Sequence, residues 1–282
     1  YLRVAPDEVY AEPCSRKANF ALTFARINQE SLEWQRRLEP VKDDMEAALA
    51  SLAGPPYKAR QVGFALPDFI DIVLNAGDSR SALGATVVVN SSSSVEAGEA
   101  VSASLPSESC YVRADISNQD EAHELIDATI ERYGQLDFLI NNAGWTTSIP
   151  HDRLDDLTDE IFRKTFDVNV FGTWWLTKRA IPHLRNSDDP NIVNITSIAG
   201  VRPVGSSMAY SMSKAALNQM TQLLAKSYGP IRVNAVAPGL VATPWTQDWD
   251  AMHAAVAATA PIPRSATPDD CAEAVLALLR NK

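Results

Sequence analysis

The sequence has few cysteines and few histidines, and it lacks a long apolar run. Its three cysteines share no metal-binding or redox spacing, and its four histidines form no ligand pair. A sparse, odd set of cysteines is typical of a reduced cytoplasmic protein, and the sequence predicts no bound metal. No segment approaches the ~20 apolar residues of a membrane span, and no signal peptide opens the chain. We therefore expect a cytoplasmic protein without a membrane partner.

Basic side chains are also scarce. The chain has 25 lysines and arginines against 35 aspartates and glutamates, which gives a formal net charge of -10. Because contacts with phosphate groups need clustered basic residues, this balance argues against a nucleic-acid partner. The length of 282 residues leaves room for one large α/β domain or for two small ones.

The pattern of apolar residues changes near residue 70. Before this point, residues such as Phe20, Phe24 and Ile27 recur on one helical face without intervening strands, which predicts a helical N-terminal extension over residues 1–69. From residue 70 onward, apolar strands alternate with helices, which indicates an α/β domain over residues 70–282 with a parallel sheet covered on both faces. Strands are predicted at 70–74, 86–90, 111–116, 137–141, 191–196 and 232–236, and helices at 119–133, 159–184 and 209–228.

The segment SIAGVRPVGSSMAYSMSK, at residues 197–214, carries the clearest chemical signal. Tyr210 and Lys214 are four residues apart and therefore share one face of a helix. Ser197 ends a predicted strand, and open α/β sheets bind ligands at the carboxyl ends of their strands. A nearby ammonium group favours phenolate and lowers the pKa of a tyrosine. Tyr210 is then suited to proton exchange with a carbonyl or an alcohol, and Ser197 to hydrogen bonding with the same oxygen.

From about residue 84 onward, the chain resembles the short-chain dehydrogenase/reductase family, because several motifs of that family occur here in the same order. NNAG at 141–144 follows a predicted strand, DVNVFG at 167–172 contains Asn169, and APGLVATP at 237–244 supplies the proline-glycine turn. The resemblance implies a Rossmann-like fold, which is a doubly wound parallel sheet. It also implies a catalytic tetrad of Asn169, Ser197, Tyr210 and Lys214, in which Asn169 holds a water that links Lys214 to solvent.

The same resemblance assigns a dinucleotide site. Asp115 matches the acidic residue near the adenine, and Thr243 lies where the nicotinamide amide is contacted, although each alone is also typical of a cap. The second strand ends in Asn90 and Ser91, where proteins that bind NAD usually have a carboxylate that binds the ribose hydroxyls. The missing carboxylate favours NADP. The alternative is that this segment simply forms a polar turn. Cofactor-binding residues are expected at Asn90, Ser91, Asp115, Ile116, Asn142, Ala143, Gly144, Tyr210, Lys214, Pro238, Gly239 and Thr243.

Two parts of the family pattern are incomplete. The glycine-rich loop T-G-x-x-x-G-x-G is missing as a whole, and NAGDSR at 75–80 supplies only its first half. Only residues 75–85 separate the strands predicted at 70–74 and 86–90, fewer than the dozen or so that a parallel crossover needs. The pyrophosphate would lose its cradle, so we expect weak dinucleotide binding. The chain stops after EAVLALLRNK, where the family continues into a final strand, so we expect a truncated C-terminal edge.

The segment PDFIDIVLNAGDSRSALGAT, at residues 67–86, faintly resembles part of the dipeptidyl peptidase III family of zinc peptidases. The His-Glu-x-x-x-His zinc helix of that family is absent from the sequence, so we expect no peptidase activity. The segment is instead interpreted as sequence joined to a reductase core.

The motifs together predict an NADP(H)-dependent oxidoreductase that reduces a carbonyl or oxidises a secondary alcohol of a small molecule. A 3-oxoacyl thioester reductase is the commonest activity of relatives with these motifs, and a homodimer or homotetramer is expected. The alternative is a catalytically inactive scaffold or fusion remnant that does not bind dinucleotide. The tetrad favours the enzyme, whereas the incomplete glycine loop favours the remnant.

Overall fold

Six parallel strands form one sheet in the part of the chain that the structure describes. The structure, a computed structural model, describes the backbone of residues 61–64 and residues 85–105 and 107–281. The strand order β3-β2-β1-β4-β5-β6 runs outward from the centre in both directions, which is the doubly wound arrangement that the sequence predicts. The strands are β1 Gln61–Phe64, β2 Thr86–Ser91, β3 Ser109–Arg113, β4 Phe138–Asn141, β5 Asn191–Ile195 and β6 Arg232–Val236.

Apolar helix faces cover both sides of this sheet. Because side chains alternate along a strand, Val87 and Val89 pack into one buried cluster with Val275, whereas Val88 packs into the opposite cluster with Leu176. None of the described helices is both long enough and apolar enough to cross a membrane. The helices are α1 Val95–Ser104, α2 Gln119–Tyr133, α3 Asp159–Phe166, α4 Thr173–Leu184, α5 Met208–Ser227, α6 Asp250–Thr259 and α7 Pro268–Arg280.

The first strand lies elsewhere than the sequence pattern indicates. The strand predicted at 70–74 falls outside the described residues, whereas β1 is Gln61–Phe64 and pairs with both β2 and β4. Residues 65–85 therefore separate β1 from β2, which exceeds the dozen or so residues that a parallel crossover needs. The expectation of too short a crossover was wrong, because it took a later apolar run for the central strand.

The position of β1 also bears on the domain boundary. The chain divides into two compact units, Tyr1–Pro55 and Pro56–Lys282. Because β1 belongs to the sheet, the α/β unit begins before residue 70, where the sequence pattern places its start. The helical extension predicted for the remaining residues up to 69 lies outside the described residues and stays a prediction.

Two other elements differ from their predictions. β3 ends before the predicted limit of 111–116, because Oδ1 of Asp115 accepts hydrogen bonds from the backbone N and the hydroxyl of Ser117 and closes a turn. The helix predicted at 159–184 consists of α3 and α4, joined by the π-helical turn Asp167–Gly172. A Cβ on Gly172 would lie 2.8 Å from the backbone oxygen of Ile116, so glycine allows this turn to pack against the loop after β3.

The carboxyl ends of β4, β5 and β6 meet at one edge of the sheet. Asn142, Ser197 and Pro238 lie within two residues of the ends of β4, β5 and β6, respectively. Helix α5 brings Lys214 to the same edge, where its Nζ donates a hydrogen bond of 2.8 Å to the backbone oxygen of Ile195. The fold therefore gathers residues from four elements where open α/β sheets bind their ligands.

Candidate active site

Ser197, Tyr210 and Lys214 lie together at the carboxyl end of β5. The hydroxyl of Ser197 donates a hydrogen bond of 3.5 Å to the backbone oxygen of Pro238, and it lies close enough to the phenol of Tyr210 to lower its pKa. The Nζ of Lys214 lies 5.7 Å from the centre of the Tyr210 ring, because both side chains project from the same face of α5. The structure thus brings these three predicted residues into one site.

Local hydrogen bonds fix the position of Tyr210. Ser207 is the N-cap of α5, and its Oγ accepts a hydrogen bond of 3.2 Å from the backbone N of Tyr210. One turn later, Oγ of Ser213 donates a bond of 2.7 Å to the backbone oxygen of Tyr210. A Cβ on Gly200 would lie 2.7 Å from the carbonyl carbon of Lys214, so glycine allows the loop after β5 to lie directly against α5.

Asn169 lies buried in the π-helical turn, a feature that is frequent at functional sites. Its Oδ1 accepts a bond of 2.7 Å from the backbone N of Trp145, and its Nδ2 donates to the backbone oxygen of Trp145 at 3.0 Å and to Oγ of Ser213 at 2.9 Å. A Cβ on Gly144 would lie 3.5 Å from both Oδ1 of Asn169 and Nζ of Lys214. Asn169 thus clamps the loop after β4 to α5 beside Lys214, and its predicted bond to a water stays a prediction.

Burial controls the protonation of the two titratable groups. It raises the pKa of the Tyr210 phenol above its ordinary value, and the nearby hydroxyl of Ser197 opposes this with a smaller effect. Burial also lowers the pKa of Lys214 to about 8. In the protein by itself, loss of solvation dominates the pKa of Tyr210, and the expected lowering by Lys214 together with a cationic nicotinamide ring stays a prediction. At neutral pH Tyr210 is therefore a neutral acid and Lys214 is mainly cationic.

A cavity of about 390 Å³ opens beside Tyr210. Its volume falls in the range of about 300–1,000 Å³ that is typical of small-molecule sites. Its lining combines polar groups such as Asn142 and Tyr210 with apolar side chains such as Trp249 and Met252. Of the predicted site residues, those that line the cavity are Asn142, Gly144, Ser197, Tyr210, Lys214, Pro238 and Gly239.

Asn142 indicates that a polar ligand enters this cavity. Its side chain is 3% exposed and lines the cavity, yet neither Oδ1 nor Nδ2 has a hydrogen-bond partner among the described residues. A buried amide without a hydrogen-bond partner lowers the stability of the fold by about 1–3 kcal/mol, so a partner outside the described residues is expected. A nicotinamide dinucleotide carries hydroxyl and carboxamide groups that pair with an amide, and the residues present therefore fit this cofactor.

Asn90 and Ser91, two predicted cofactor ligands, are instead buried inside the sheet. Nδ2 of Asn90 donates to the backbone oxygens of Val112 at 2.9 Å and Ala114 at 3.0 Å. The hydroxyl of Ser91 pairs with that of Tyr111 at 2.7 Å. These bonds tie β2 to β3 and occupy Nδ2 of Asn90 and the hydroxyl of Ser91, and the predicted contacts of the two residues with a cofactor stay predictions.

Four further predicted cofactor residues lie at the same edge of the sheet but do not line the described cavity. Ile116 and Ala143 are buried and pack in the apolar cluster on the α2 face. Asp115 is half-buried and closes the turn after β3, and the backbone N of Thr243 donates a bond of 3.1 Å to Oγ1 of Thr246. For Asp115 and Thr243 the structure shows turn-forming roles, which the sequence left open beside ligand binding.

We expect Asn142→Ala to weaken NADPH binding about tenfold without lowering the free energy of unfolding, because the amide has no hydrogen-bond partner to lose among the described residues. Asn194→Ala is the matched control, since Nδ2 of Asn194 donates to Oγ1 of Thr221 at 2.9 Å and its Oδ1 accepts from Asn141 at 2.8 Å. The control should lose about 1–3 kcal/mol of stability and keep its affinity for NADPH. Calorimetric titration measures the affinity for NADPH, and urea unfolding measures the stability. If Asn142→Ala lost stability and kept its affinity for NADPH, Asn142 would be a structural residue.

The sequence pattern did not identify the apolar wall of the cavity. Trp245, Trp249, Met252 and Val256 line it. Three of them, Trp249, Met252 and Val256, are three and four residues apart, which is the apolar stripe of a helix, and α6 occupies this segment. That stripe is the sequence signal by which the wall could be recognised.

Known proteins share both the sequence and the fold. A family model described as enoyl-(acyl carrier protein) reductase matches residues 77–282. A Streptomyces violaceoruber protein, named as ketoacyl reductase 2 of the granaticin polyketide synthase, is 50% identical over 206 residues, which cover 71% of this chain and 82% of that protein. An uncharacterised oxidoreductase of Methylorubrum extorquens is 36% identical over 201 residues, covering 68% and 79%. The crystal structure of a short-chain dehydrogenase/reductase of the glucose/ribitol dehydrogenase type from Brucella melitensis matches with a TM-score of 0.71 at 27% identity, covering 79% of this chain and 90% of that one.

Proposed function

Because the chain belongs to the short-chain dehydrogenase/reductase family, we propose that it reduces the carbonyl group of a small molecule, or oxidises the corresponding secondary alcohol, with NADP(H). The observation that carries this proposal is the grouping of Ser197, Tyr210 and Lys214 on one cavity. An inactive scaffold is not favoured, because the position of β1 leaves room for a crossover to β2.

Tyr210 exchanges the proton in this proposal. Burial keeps its pKa above the ordinary value, so the phenol is protonated at neutral pH and donates its proton to the carbonyl oxygen during reduction. Ser197, which lies beside the phenol on the same cavity, is placed to donate to the same oxygen as negative charge develops there. When bound, the nicotinamide supplies the hydride in reduction or accepts it in oxidation.

Lys214 and Asn142 hold the cofactor in this proposal. The ammonium of Lys214 is anchored on the backbone oxygen of Ile195 and keeps two further N–H donors for ribose hydroxyls. The unpaired amide of Asn142 lines the same cavity. Residues 65–84, which contain the incomplete glycine motif, lie outside the described residues, so the groups proposed here address the nicotinamide end of the cofactor.

The relative at 50% identity supports a 3-oxoacyl thioester or a related polyketide ketone as the substrate. That protein is named for ketoacyl reduction in a polyketide synthase. The proposal extends this activity to the present chain because the identity covers 71% of the chain and because the family model spans the segment with Ser197, Tyr210 and Lys214. A homo-oligomeric state and a cytoplasmic location stay predictions.

The end of β2 supports NADP over NAD. No carboxylate stands at Asn90, at Ser91 or at the described serines that follow, so nothing in this described segment repels a 2′-phosphate. Ser92 is half-buried, and its backbone oxygen accepts a hydrogen bond of 3.1 Å from Nε of Arg113. A ligand phosphate near Ser92 would therefore lie beside a cationic side chain.

The test is titration with NADPH and NADH by fluorescence or calorimetry. We expect NADPH to bind at least about tenfold more tightly than NADH. Ser92→Asp should weaken NADPH binding about tenfold or more by charge repulsion and leave NADH binding unchanged. Ser92→Asn, which is uncharged, is the matched control and should keep the preference. Equal affinity for the two cofactors would contradict the choice of NADP, and binding of neither would contradict the proposed function.

A further inference from the structure

The apolar wall of the cavity consists of side chains that the described fold leaves partly uncovered. Ile198, Val204 and Met252 line the cavity and remain 37%, 43% and 37% exposed. Beside them stand Trp245 and Trp249, whose ring centres are 6.2 Å apart at an interplanar angle of 50°. Clustered exposed apolar surface is typical of a ligand-binding groove.

Helix α6 supplies much of this wall and contributes little to the core. None of its residues is fully buried, and its Met252 and Val256 line the cavity. His253 anchors the helix, because its Nε2 donates to the backbone oxygen of Thr246 at 2.9 Å and its Nδ1 pairs with the hydroxyl of Ser265 at 2.7 Å. The helix is thus held by hydrogen bonds, and part of its apolar surface is left for a ligand.

Apart from Lys214 and Asn142, which the proposed function assigns to the cofactor, the described lining of the cavity holds no charged side chain and no unpaired side-chain amide. Among the described residues that line it, Lys214 alone carries a charge. The hydroxyls of Thr146 and Ser206 pair with each other at 2.6 Å, and those of Thr246 and Thr259 donate to backbone oxygens at 2.6 and 2.8 Å. A carboxylate or ammonium placed against this wall would lose its hydration without gaining an oppositely charged partner.

We infer that, of the substrates that the proposed function allows, the chain takes a ketone on a neutral, apolar ring system of at least two fused rings in preference to a linear 3-oxoacyl thioester or a short or charged chain. This inference rests on the proposed reductase activity. The tilted pair Trp245 and Trp249 offers ring faces and edges with which a flat ring system packs favourably. A rigid ring system also loses less conformational freedom on binding than a flexible chain of equal apolar area.

The test compares NADPH-dependent reduction of three ketones: 2-tetralone with two fused rings, cyclohexanone with one ring, and acetoacetate with a carboxylate. We expect kcat/KM for 2-tetralone to exceed that for cyclohexanone at least about tenfold, since even one methylene in an apolar pocket changes it by about that factor. Acetoacetate should be the poorest of the three. Calorimetric titration with 2-naphthol, a bicyclic compound without a ketone, tests binding separately from the reaction.

Variants of Trp249 connect the preference to the wall. Trp249→Ala should lower the ratio of kcat/KM for 2-tetralone over cyclohexanone at least about fivefold and weaken 2-naphthol binding, whereas Trp249→Phe should retain most of both. Trp174→Ala is the matched control, because Trp174 is 40% exposed on α4 and does not line the cavity. It should leave the ratio unchanged.

The outcomes separate the two proposals. A chain that neither binds NADPH nor reduces any of the ketones would overturn the proposed function. A chain that binds NADPH but reduces acetoacetate better than 2-tetralone, or reduces none of the three, would leave cofactor binding intact and overturn the inference about the substrate. An unchanged substrate ratio in Trp249→Ala would also overturn it.

Discussion

Tyr210→Phe is expected to lower kcat by about 100- to 10,000-fold, which is the usual contribution of a positioned general acid. Phenylalanine keeps the ring and its packing, and it removes only the hydroxyl that lies beside Ser197. NADPH affinity and the free energy of unfolding should therefore stay close to those of the wild type. Steady-state kinetics, calorimetric titration with NADPH and urea unfolding measure the three quantities.

Tyr228→Phe is the matched control for this prediction. Tyr228 follows the last residue of α5, and its ring lies 5.7 Å from the guanidinium of Arg185, away from the cavity. The control should keep its full kcat. Tyr210→Phe with more than about a tenth of the wild-type kcat would assign the proton exchange to another group, since general acids normally contribute more.

The pH dependence of the reaction follows from the raised pKa of Tyr210. Because burial favours the neutral phenol, the acid needed for carbonyl reduction is present throughout the neutral range. Alcohol oxidation needs the phenolate and should accelerate as the pH rises. The nearby hydroxyl of Ser197 lowers the pKa of Tyr210, so Ser197→Ala would shift the rise in oxidation rate to higher pH.

The elements with local end signals could be predicted from the sequence. α2 occupies the predicted range because the side chain of Asn118 accepts bonds from the backbone N of Asp120 and Glu121, and because Gly134 ends the helix at a φ of 76°. α7 was not predicted, although Thr267 and Asp270 form a capping box around Pro268 that the sequence displays.

Other features depend on long-range contacts and left no local signal. β1 has the sequence QVGF, shorter and less apolar than the run at 70–74, and it is defined by pairing with β2 and β4 on either side. The π-helical turn between α3 and α4 depends on the approach of Gly172 to Ile116. The spacing of apolar residues in the sequence, which predicts helices and strands, contains no signal for either contact.

The candidate site divides in the same way. Ser197, Tyr210 and Lys214 could be grouped from their spacing and from the end of a strand, and the structure brings them together. Asn90 and Ser91 stood at a plausible ligand position in the sequence, but the partners of their side chains, Val112 and Tyr111, are about twenty residues away and become neighbours only through the register of β2 and β3. Side-chain direction at a strand end therefore needed the structure.

Lys214→Met is expected to weaken NADPH binding and to lower turnover together. Burial lowers the pKa of Lys214 to about 8, so the ammonium is present below that pH and is lost as the pH rises through it. Because NADPH is anionic, the affinity of the wild type should fall as the pH rises through about 8, and the variant should bind weakly at every pH. Lys226→Met, an exposed position on the same helix, is the matched control and should behave as the wild type.

Unfolding measurements separate loss of function from loss of structure in the Lys214→Met variant. The pKa of Lys214 is lower in the folded protein than its ordinary value of 10.5, so between about pH 8 and that value the unfolded chain binds more protons and stability rises with pH. The charged lysine therefore disfavours the fold at neutral pH, and methionine removes this cost together with the hydrogen bond to the backbone oxygen of Ile195, so the two effects offset each other and we expect a folded variant. If the variant is stable and binds NADPH as tightly as the wild type, and if the affinity of neither protein changes with pH, Lys214 does not bind the cofactor. If the variant is stable but binds NADPH weakly, the ammonium itself holds the cofactor.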